Sequence, residues 1–291
     1  MDFTDKVAVI TGAASGVGRA LSHRLAKAGA KIVLSDIEGG ALDKAVAEVN
    51  DGGGIATGIV CDASKRDEVD ALRDAAFAKW GKVHAVFNNA GVGGGGGPSI
   101  WTSPEKSFRW AMDVNFFGPL NGILSFLPRM FEQNEGGLMA ATSSGAGIVF
   151  PPNSPAYSAS KAALIALMEV LQYQLDMVQS DIKAAILFPG PHVVDTNLFG
   201  SHRNLQKDYD DPIIRAGGGI DDMETFQIVM KQFIGREVET TDPVDFAEEV
   251  YTSLLRDDFY ILPLTDVTKD AVRKRTDDML ARRHPTVPQM F

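Results

Sequence analysis

The chain has 291 residues, of which 45% are hydrophobic and 23% charged, a globular composition that excludes a disordered or fibrous protein. Its net charge of −10 argues against nucleic acid and anionic membranes as partners. The single cysteine, Cys61, excludes an internal disulfide and a cysteine-based zinc site, and we expect no metal. We find neither a signal-peptide pattern nor an apolar run of membrane-spanning length. The sequence therefore predicts a soluble cytoplasmic protein.

Short apolar or β-branched runs alternate along the chain with longer segments of helical periodicity. The predicted strands are Lys6–Thr11, Lys31–Asp36, Ile55–Cys61, Val83–Asn88, Gly137–Thr142, Ile182–Phe188 and Phe259–Leu262. The predicted helices lie near 17–28, 40–50, 65–80, 104–133, 157–179 and 243–256. Several strands are apolar almost throughout, as expected when helices cover both faces of a sheet. The alternation predicts an α/β fold: a Rossmann-type, doubly wound parallel sheet of about seven strands with helices on both faces.

Three segments depart from this alternation. Gly93–Gly97 is a glycine run that we interpret as a flexible connector. Residues 196–241 form an insertion, with a helix near 221–234, that we expect to lie over the carboxyl edge of the sheet as a substrate lid. A charged C-terminal helix is predicted around 266–283. We expect residues 1–291 to form a single Rossmann-fold domain that includes the insertion and the C-terminal helix.

A glycine-rich loop follows the first strand and opens the first helix. Its sequence over 11–18 is Thr-Gly-Ala-Ala-Ser-Gly-Val-Gly. A dinucleotide pyrophosphate needs backbone N–H groups and a helix N-terminus at close range, and glycine permits that approach. Glycines also serve in plain turns, but here a strand precedes the loop and an amphipathic helix follows it, as the motif requires. The predicted cofactor-binding residues of this loop are Gly12, Ser15, Gly16, Val17 and Gly18.

Carboxylates end the next two strands. Asp36 ends the second strand, where it can accept hydrogen bonds from both hydroxyls of an adenosine ribose and would repel a 2′-phosphate. Neither position 15 nor position 37 carries Arg or Lys, so the sequence favours NAD over NADP. Asp62 and Ala63 follow the third strand. Asp62 can bond the adenine amino group or cap the helix that follows, and the sequence leaves both readings open.

A tyrosine and a lysine stand four residues apart on one predicted helix. Tyr157 and Lys161 therefore share a helix face. A free tyrosine has a pKa of about 10, and a nearby ammonium together with a positive nicotinamide ring would lower it. Ser144 ends the fifth strand, so it can meet Tyr157 across the carboxyl edge. Taken alone, such a Tyr–Lys pair is usually an ordinary helix surface.

The combination resembles the short-chain dehydrogenase/reductase family in its shorter, single-domain branch. The residues that carry the resemblance are the loop 11–18, the Asn-Asn-Ala-Gly run 88–91, Asn115, Ser144 and the Tyr157–Lys161 pair. It covers about residues 3–262. The resemblance implies that Tyr157 is the general base or acid, that Lys161 holds the nicotinamide ribose, and that Ser144 bonds the substrate oxygen.

The resemblance also assigns supporting roles. It implies that Asn115 holds a water in a proton path from Lys161, and that Asn89 and Gly91 border the adenosine ribose. After the sixth strand the family pattern meets the nicotinamide carboxamide, and here it matches Pro189, Gly190, Val194 and Thr196 with two extra residues between. Nearby His192 is interpreted as a surface loop residue. The helices near 104–133 and 157–179 resemble those that pack between subunits, which implies a homodimer or homotetramer.

Apolar side chains near the predicted cleft favour a bulky hydrophobic or aromatic alcohol as substrate, although they can equally be ordinary packing. These candidates are Trp101, Ile148, Val149, Phe150, Phe199, Tyr209, Phe226 and Phe233. A softer likeness to the dehydrogenases of lignin-derived aryl-glycerol ethers suggests oxidation of a benzylic alcohol to an aryl ketone. A steroid or other alicyclic alcohol is the rival substrate, and a non-catalytic NAD-binding regulator is the rival class. Because Tyr157 and Lys161 are both present, the sequence favours the NAD-dependent dehydrogenase.

Overall fold

A parallel β-sheet with helices on both faces forms the framework of the molecule. A computed structural model describes residues 1–95 and 99–288, apart from the side chains of residues 218, 233 and 234. The strands are β1 Val7–Thr11, β2 Lys31–Asp36, β3 Ile55–Val60, β4 Ala85–Asn88, β5 Gly137–Thr142, β6 Ile182–Leu187, β7 Val193–Val194, β8 Thr240–Thr241 and β9 Tyr260–Ile261. Seven of them form one sheet in the order β3-β2-β1-β4-β5-β6-β9, and every neighbouring pair is parallel. The predicted fold class is confirmed.

Ten α-helices connect or extend these strands within the described residues. They are α1 Gly16–Lys27, α2 Gly39–Asp51, α3 Arg66–Trp80, α4 Glu105–Met112, α5 Gly118–Glu132, α6 Pro155–Met177, α7 Pro212–Arg215, α8 Met223–Ile234, α9 Pro243–Leu255 and α10 Asp266–Leu280. Left-handed glycines end two of them, Gly81 after α3 and Gly235 after α8. None of the described helices is both long enough and apolar enough to cross a bilayer.

Alternate residues of the strands build two separate cores. In β1, Ala8 and Ile10 pack with α1, α2 and α9 on one face, whereas Val7 and Val9 pack with α3, α5 and α6 on the other. This period of two follows from the pleat of the strand. The order of strands reverses direction between β1 and β4, which makes that crevice, at the carboxyl edge, the place where such sheets bind ligands.

The predicted insertion begins and ends at one point of the framework. After β6 the chain passes a cis Gly190–Pro191 peptide bond and enters β7. This strand pairs in parallel with β8 over only two residues, so residues 195–239 leave the end of β7 and return to the start of β8 close by. His192 supports the junction, since its backbone N–H donates to the Thr241 hydroxyl (3.2 Å) and its ring contacts Glu239 (2.9 Å).

Candidate active site

The glycine loop closes tightly around the start of α1. Gly12 and Gly16 have φ of +63° and +51°, a conformation that side-chain-bearing residues rarely adopt. A Cβ at Gly12 would stand 2.8 Å from the Ala90 Cα, and one at Gly18 would collide with the carbonyl oxygen of Gly12. The first turn of α1 carries no acidic residue. The loop is thus a cradle of backbone N–H groups at a helix N-terminus, which fits a dinucleotide pyrophosphate.

Asn89 fixes this loop to the middle of the sheet. Its amide nitrogen donates to the carbonyl oxygens of Thr11 (3.1 Å) and Gly12 (3.2 Å), and its amide oxygen accepts from the Thr142 hydroxyl (3.0 Å). The Thr11 hydroxyl in turn accepts from the backbone N–H of Asn89 (3.0 Å) and of the next residue. The side chain of Asn89 is therefore engaged by protein, and its place beside the adenosine ribose stays a prediction.

Asp36 lies directly beside the glycine loop. Its carboxylate accepts from the backbone N–H of Ala14 and of Glu38, each at 3.0 Å. A carboxylate held this way keeps free lone pairs for the hydroxyls of a ribose. Asp62 is more fully used, because it accepts from the N–H (3.0 Å) and hydroxyl (2.7 Å) of Ser64 and from the side-chain amide of Gln206.

Ser144, Tyr157 and Lys161 come together where β5 ends and α6 begins. Tyr157 is half-buried, and Ser144 is near enough to its hydroxyl to act on its pKa. Lys161 is 3% exposed; its Nζ lies 5.7 Å from the Tyr157 ring centroid and donates to the Thr142 carbonyl oxygen (2.8 Å). The sequence-predicted set is thus one cluster at the carboxyl edge of the sheet.

Burial shifts the pKa values of Tyr157 and Lys161 in the directions that favour their neutral forms. Burial raises the pKa of Tyr157, and the hydrogen bond from Ser144 opposes that rise. Burial lowers the pKa of Lys161 to about 7. That Lys161 and a positive nicotinamide ring together lower the pKa of Tyr157 stays a prediction, because burial by itself acts in the opposite direction. A further positive charge is needed to favour the phenolate.

Asn115 lies in a π-helical turn, Asp113–Phe117, between α4 and α5. Its amide oxygen accepts from the Val92 N–H (2.8 Å), and its amide nitrogen donates to the Val92 carbonyl (2.9 Å) and the Ser160 hydroxyl (3.0 Å). The side chain therefore holds the segment after β4 against α6. The water that Asn115 is predicted to hold stays a prediction, and π-turns of this kind recur at functional sites.

The chain after β6 returns to the glycine loop. A Cβ at Gly16 would stand 2.9 Å from the Thr196 methyl, so Thr196 lies against the cradle. Val194 is buried in the core on the α1 side of the sheet, which leaves its backbone for a ligand. A Cβ at Gly190 would stand 3.2 Å from the Pro263 carbonyl oxygen.

The aromatic residues predicted to line a cleft have diverse surroundings. Phe199 and Phe226 stack at 4.9 Å within the insertion, and Tyr209 is buried with its hydroxyl donating to Asp113 (2.6 Å). Ile148 and Val149 pack inward, whereas Phe150 lies under Arg275 and Trp101 is 88% exposed. The Phe233 side chain and Gly96–Gly97 of the predicted connector lie outside the described residues. Part of this set is therefore ordinary packing.

Several residues at the site have no motif in the sequence. Thr142 supports Asn89 and Lys161, and Arg203 and Gln206 of the insertion make polar contacts with the loops after β2 and β3, with Glu38 and with Asp62. The two partners in each of these contacts are more than 140 residues apart in the sequence, so no sequence pattern could predict the contacts. Among the described residues, no three His, Cys, Asp or Glu side chains cluster as a metal site.

Comparison with known proteins identifies the family. Residues 6–207 match the family model described as short chain dehydrogenase. The chain is 30% identical to a "CLA biosynthesis dehydrogenase/reductase" of Lactiplantibacillus plantarum over 264 residues, which cover 90% of this chain and 88% of the relative. It is 36% identical to a 1-deoxy-11-beta-hydroxypentalenate dehydrogenase of Streptomyces arenae, covering 66% and 68% of the two chains.

Solved structures resemble the whole chain or about two thirds of it. A short chain dehydrogenase/reductase of Burkholderia phymatum, in complex with NAD, is 33% identical with a TM-score of 0.87, and the match covers 99% of both chains. The apo form of LigD from Sphingobium sp. strain SYK-6 is 26% identical with a TM-score of 0.75, covering 98% and 100%. A metagenomic short-chain oxidoreductase in complex with NADP is 30% identical with a TM-score of 0.61, covering 65% and 84%.

Proposed function

Because this chain belongs to the short-chain dehydrogenase/reductase family, we propose that it transfers hydride between NAD and a secondary alcohol or the corresponding ketone. The observation that carries the proposal is the cluster of Ser144, Tyr157 and Lys161 beside a glycine cradle that fits a dinucleotide. A non-catalytic regulator would have no need of a buried lysine next to a tyrosine at this edge.

Each residue of the cluster has a distinct task in this reaction. Tyr157 accepts the proton of the substrate hydroxyl during oxidation and returns it during reduction. Ser144 donates a hydrogen bond to the substrate oxygen, where negative charge develops. Lys161, fixed by the Thr142 carbonyl, would hold the hydroxyls of the nicotinamide ribose. The nicotinamide ring, when bound, supplies the hydride-accepting carbon and, in its oxidised form, a positive charge. That charge favours the phenolate of Tyr157 and so lowers its raised pKa.

Asp36 is the basis for proposing NAD rather than NADP. Its carboxylate adjoins the glycine loop, and a second carboxylate, Glu38, stands two residues further along. The Asp36 carboxylate disfavours a 2′-phosphate there, whereas Glu38 is paired with Arg203. The NAD complex of the Burkholderia phymatum protein supports this choice, although the metagenomic oxidoreductase holds NADP. The proposal therefore depends on Asp36 and not on family membership.

For the substrate we propose a bulky aryl alcohol, such as a lignin-derived aryl-glycerol ether oxidised at its benzylic carbon. The likeness to LigD over nearly the whole chain, insertion included, supports it, as does the aromatic stack of Phe199 and Phe226 within that insertion. A steroid or other alicyclic alcohol is the second candidate. The similarity to the hydroxypentalenate dehydrogenase of Streptomyces arenae favours this alternative.

We also propose a cytoplasmic homodimer or homotetramer. The helix residues Leu164, Met168 and Leu171 are buried in the core and are not available to a partner. Exposed apolar side chains lie instead on the outer faces of α5 and α6, and they support association of copies through these helices. These side chains are Leu124, Phe131, Val170, Tyr173 and Met177, with Phe117 in the π-turn just before α5.

The test is the absorbance of reduced nicotinamide, with purified protein and a panel of secondary alcohols, each offered with NAD and with NADP. We expect a signal with NAD and a benzylic alcohol. Tyr157→Phe should keep dinucleotide binding and lose about 10²–10⁴-fold in turnover. Tyr251→Phe, a tyrosine on α9 stacked under Arg24, is the matched control and should keep it. Turnover retained in Tyr157→Phe would contradict the proposed base.

A further inference from the structure

One segment of the insertion crosses the ends of several strands. We call residues Thr196–Tyr209 the strap. It starts against Gly16 of the cradle, and its Ser201 hydroxyl accepts from the Gly93 N–H (3.0 Å) after β4. It ends where the Tyr209 hydroxyl donates to Asp113 (2.6 Å). Between these points it reaches the loops after β2 and β3, so it spans the half of the sheet edge that holds the adenosine part of a dinucleotide in this fold.

The first clasp of the strap joins it to Glu38, two residues after the ribose-binding position Asp36. Arg203 donates to Glu38 through Nε (3.1 Å) and Nη2 (2.5 Å), and the Asn204 amide donates to the same carboxylate oxygen (2.7 Å). The remaining guanidinium nitrogen donates to the carbonyls of Asn197 (3.0 Å) and Gly200 (2.8 Å) within the strap. Arg203 is therefore both the internal brace of the strap and its attachment to Glu38.

The second clasp lies at the end of β3. Gln206 donates its amide to Asp62, whose other carboxylate oxygen is held by Ser64. The two clasps thus lie on neighbouring strands, one next to Asp36 and one at the residue considered for adenine contact. A direct bond also links the first clasp to Asp36, because the Glu38 N–H donates to that carboxylate (3.0 Å).

We propose that the strap closes over the adenosine half of the bound dinucleotide, and that the clasps must open before the cofactor leaves. The inference rests on the proposed function. Arg203, Asn204 and Gln206 are then positioning residues: they act on the cofactor through Glu38 and Asp62. Since three charge-assisted bonds meet on Glu38 but both partners are about one-third exposed, we expect loss of the first clasp to speed release about tenfold.

The experiment measures release of reduced dinucleotide and does not depend on turnover. NADH fluorescence is followed in a stopped-flow instrument after dilution of the NADH-loaded protein into excess NAD, with the equilibrium Kd measured separately. Arg203→Met and Glu38→Gln remove the first clasp from either side, and we expect each to raise the release rate about tenfold. The double variant should be no faster than Arg203→Met alone, because the contact with Glu38 is already lost in that single variant.

Arg215→Met is the matched control. Arg215 carries the same charge in the same insertion but pairs with Asp210, outside the clasps. Its release rate should equal that of the unmodified protein. Release from Arg203→Met at the rate of Arg215→Met would overturn the strap proposal, as would additive effects in the double variant. If the unmodified protein binds neither NADH nor NADPH, the proposed function fails first, so the two failures are distinguishable.

Discussion

Lys161→Met tests how strongly the site opposes a buried charge. Lys161 is 3% exposed, and its pKa falls from 10.5 to about 7 because burial disfavours the ammonium. In the unfolded chain the lysine keeps its ordinary pKa. Between pH 7 and 10.5 the unfolded chain therefore binds more protons, and the stability of the unmodified protein rises with pH across that window. Methionine has a similar volume and carries no charge, so its variant lacks this dependence.

The magnitude follows from these two pKa values. At 1.36 kcal/mol per pKa unit, the lysine costs up to ~5 kcal/mol at pH 6 and about 2 kcal/mol at pH 9. We therefore expect the advantage of Lys161→Met in free energy of unfolding to shrink by up to about 3 kcal/mol between pH 6 and pH 9.

Urea denaturation of both proteins without cofactor, at pH 6, 7, 8 and 9, measures this difference. The other titratable groups are common to both, so subtraction isolates Lys161. Lys183→Met, on an exposed position of β6, is the control and should give a difference that does not vary with pH. A difference between Lys161→Met and the unmodified protein that is constant over this range would refute the argument from burial.

The remaining predictions concern the cofactor cradle. Asp36→Ala should raise the affinity for NADP relative to NAD about tenfold or more, measured by fluorescence titration, since a charged hydrogen-bond acceptor is removed; exposed Asp43→Ala should not. Gly18→Ala should abolish dinucleotide binding, because its Cβ meets the Gly12 carbonyl, whereas Gly40→Ala, with nothing within 4 Å of its Cβ, should bind normally. An unchanged Kd for Gly18→Ala would show that the loop can relax.

The framework could be predicted because its signals are local. Each of the seven strands of the main sheet lies within a predicted run, since apolar sequences covered on both faces differ sharply from the loops between them. The predicted helix 104–133 was only partly right. It is interrupted by the π-turn Asp113–Phe117, which turns Asn115 toward Val92, and a periodicity of 3.6 residues cannot reveal one added residue.

In the site, too, contacts between residues close in sequence could be predicted, whereas contacts between distant residues could not. The glycine loop and the Tyr157–Lys161 pair are close in sequence, so spacing alone brings each set to one place. The contact of Glu38 with Arg203 joins residues 165 positions apart on irregular segments, and no pattern marks it. Trp101 was predicted from its position near the cleft to line it, but its side chain is almost fully exposed.

The pairing of β7 with β8 holds the two ends of the insertion close together, so the insertion is a segment that can be replaced as a unit. Adjacent strands lie about 4.8 Å apart, so a 45-residue excursion, 195–239, can be replaced by a longer or shorter one without moving either end. Such an exchange would leave Ser144 and Tyr157 in place. Local unfolding of residues 195–239 would likewise leave the seven-stranded sheet intact. New substrate ranges can thus arise on this framework by changing one continuous stretch of chain.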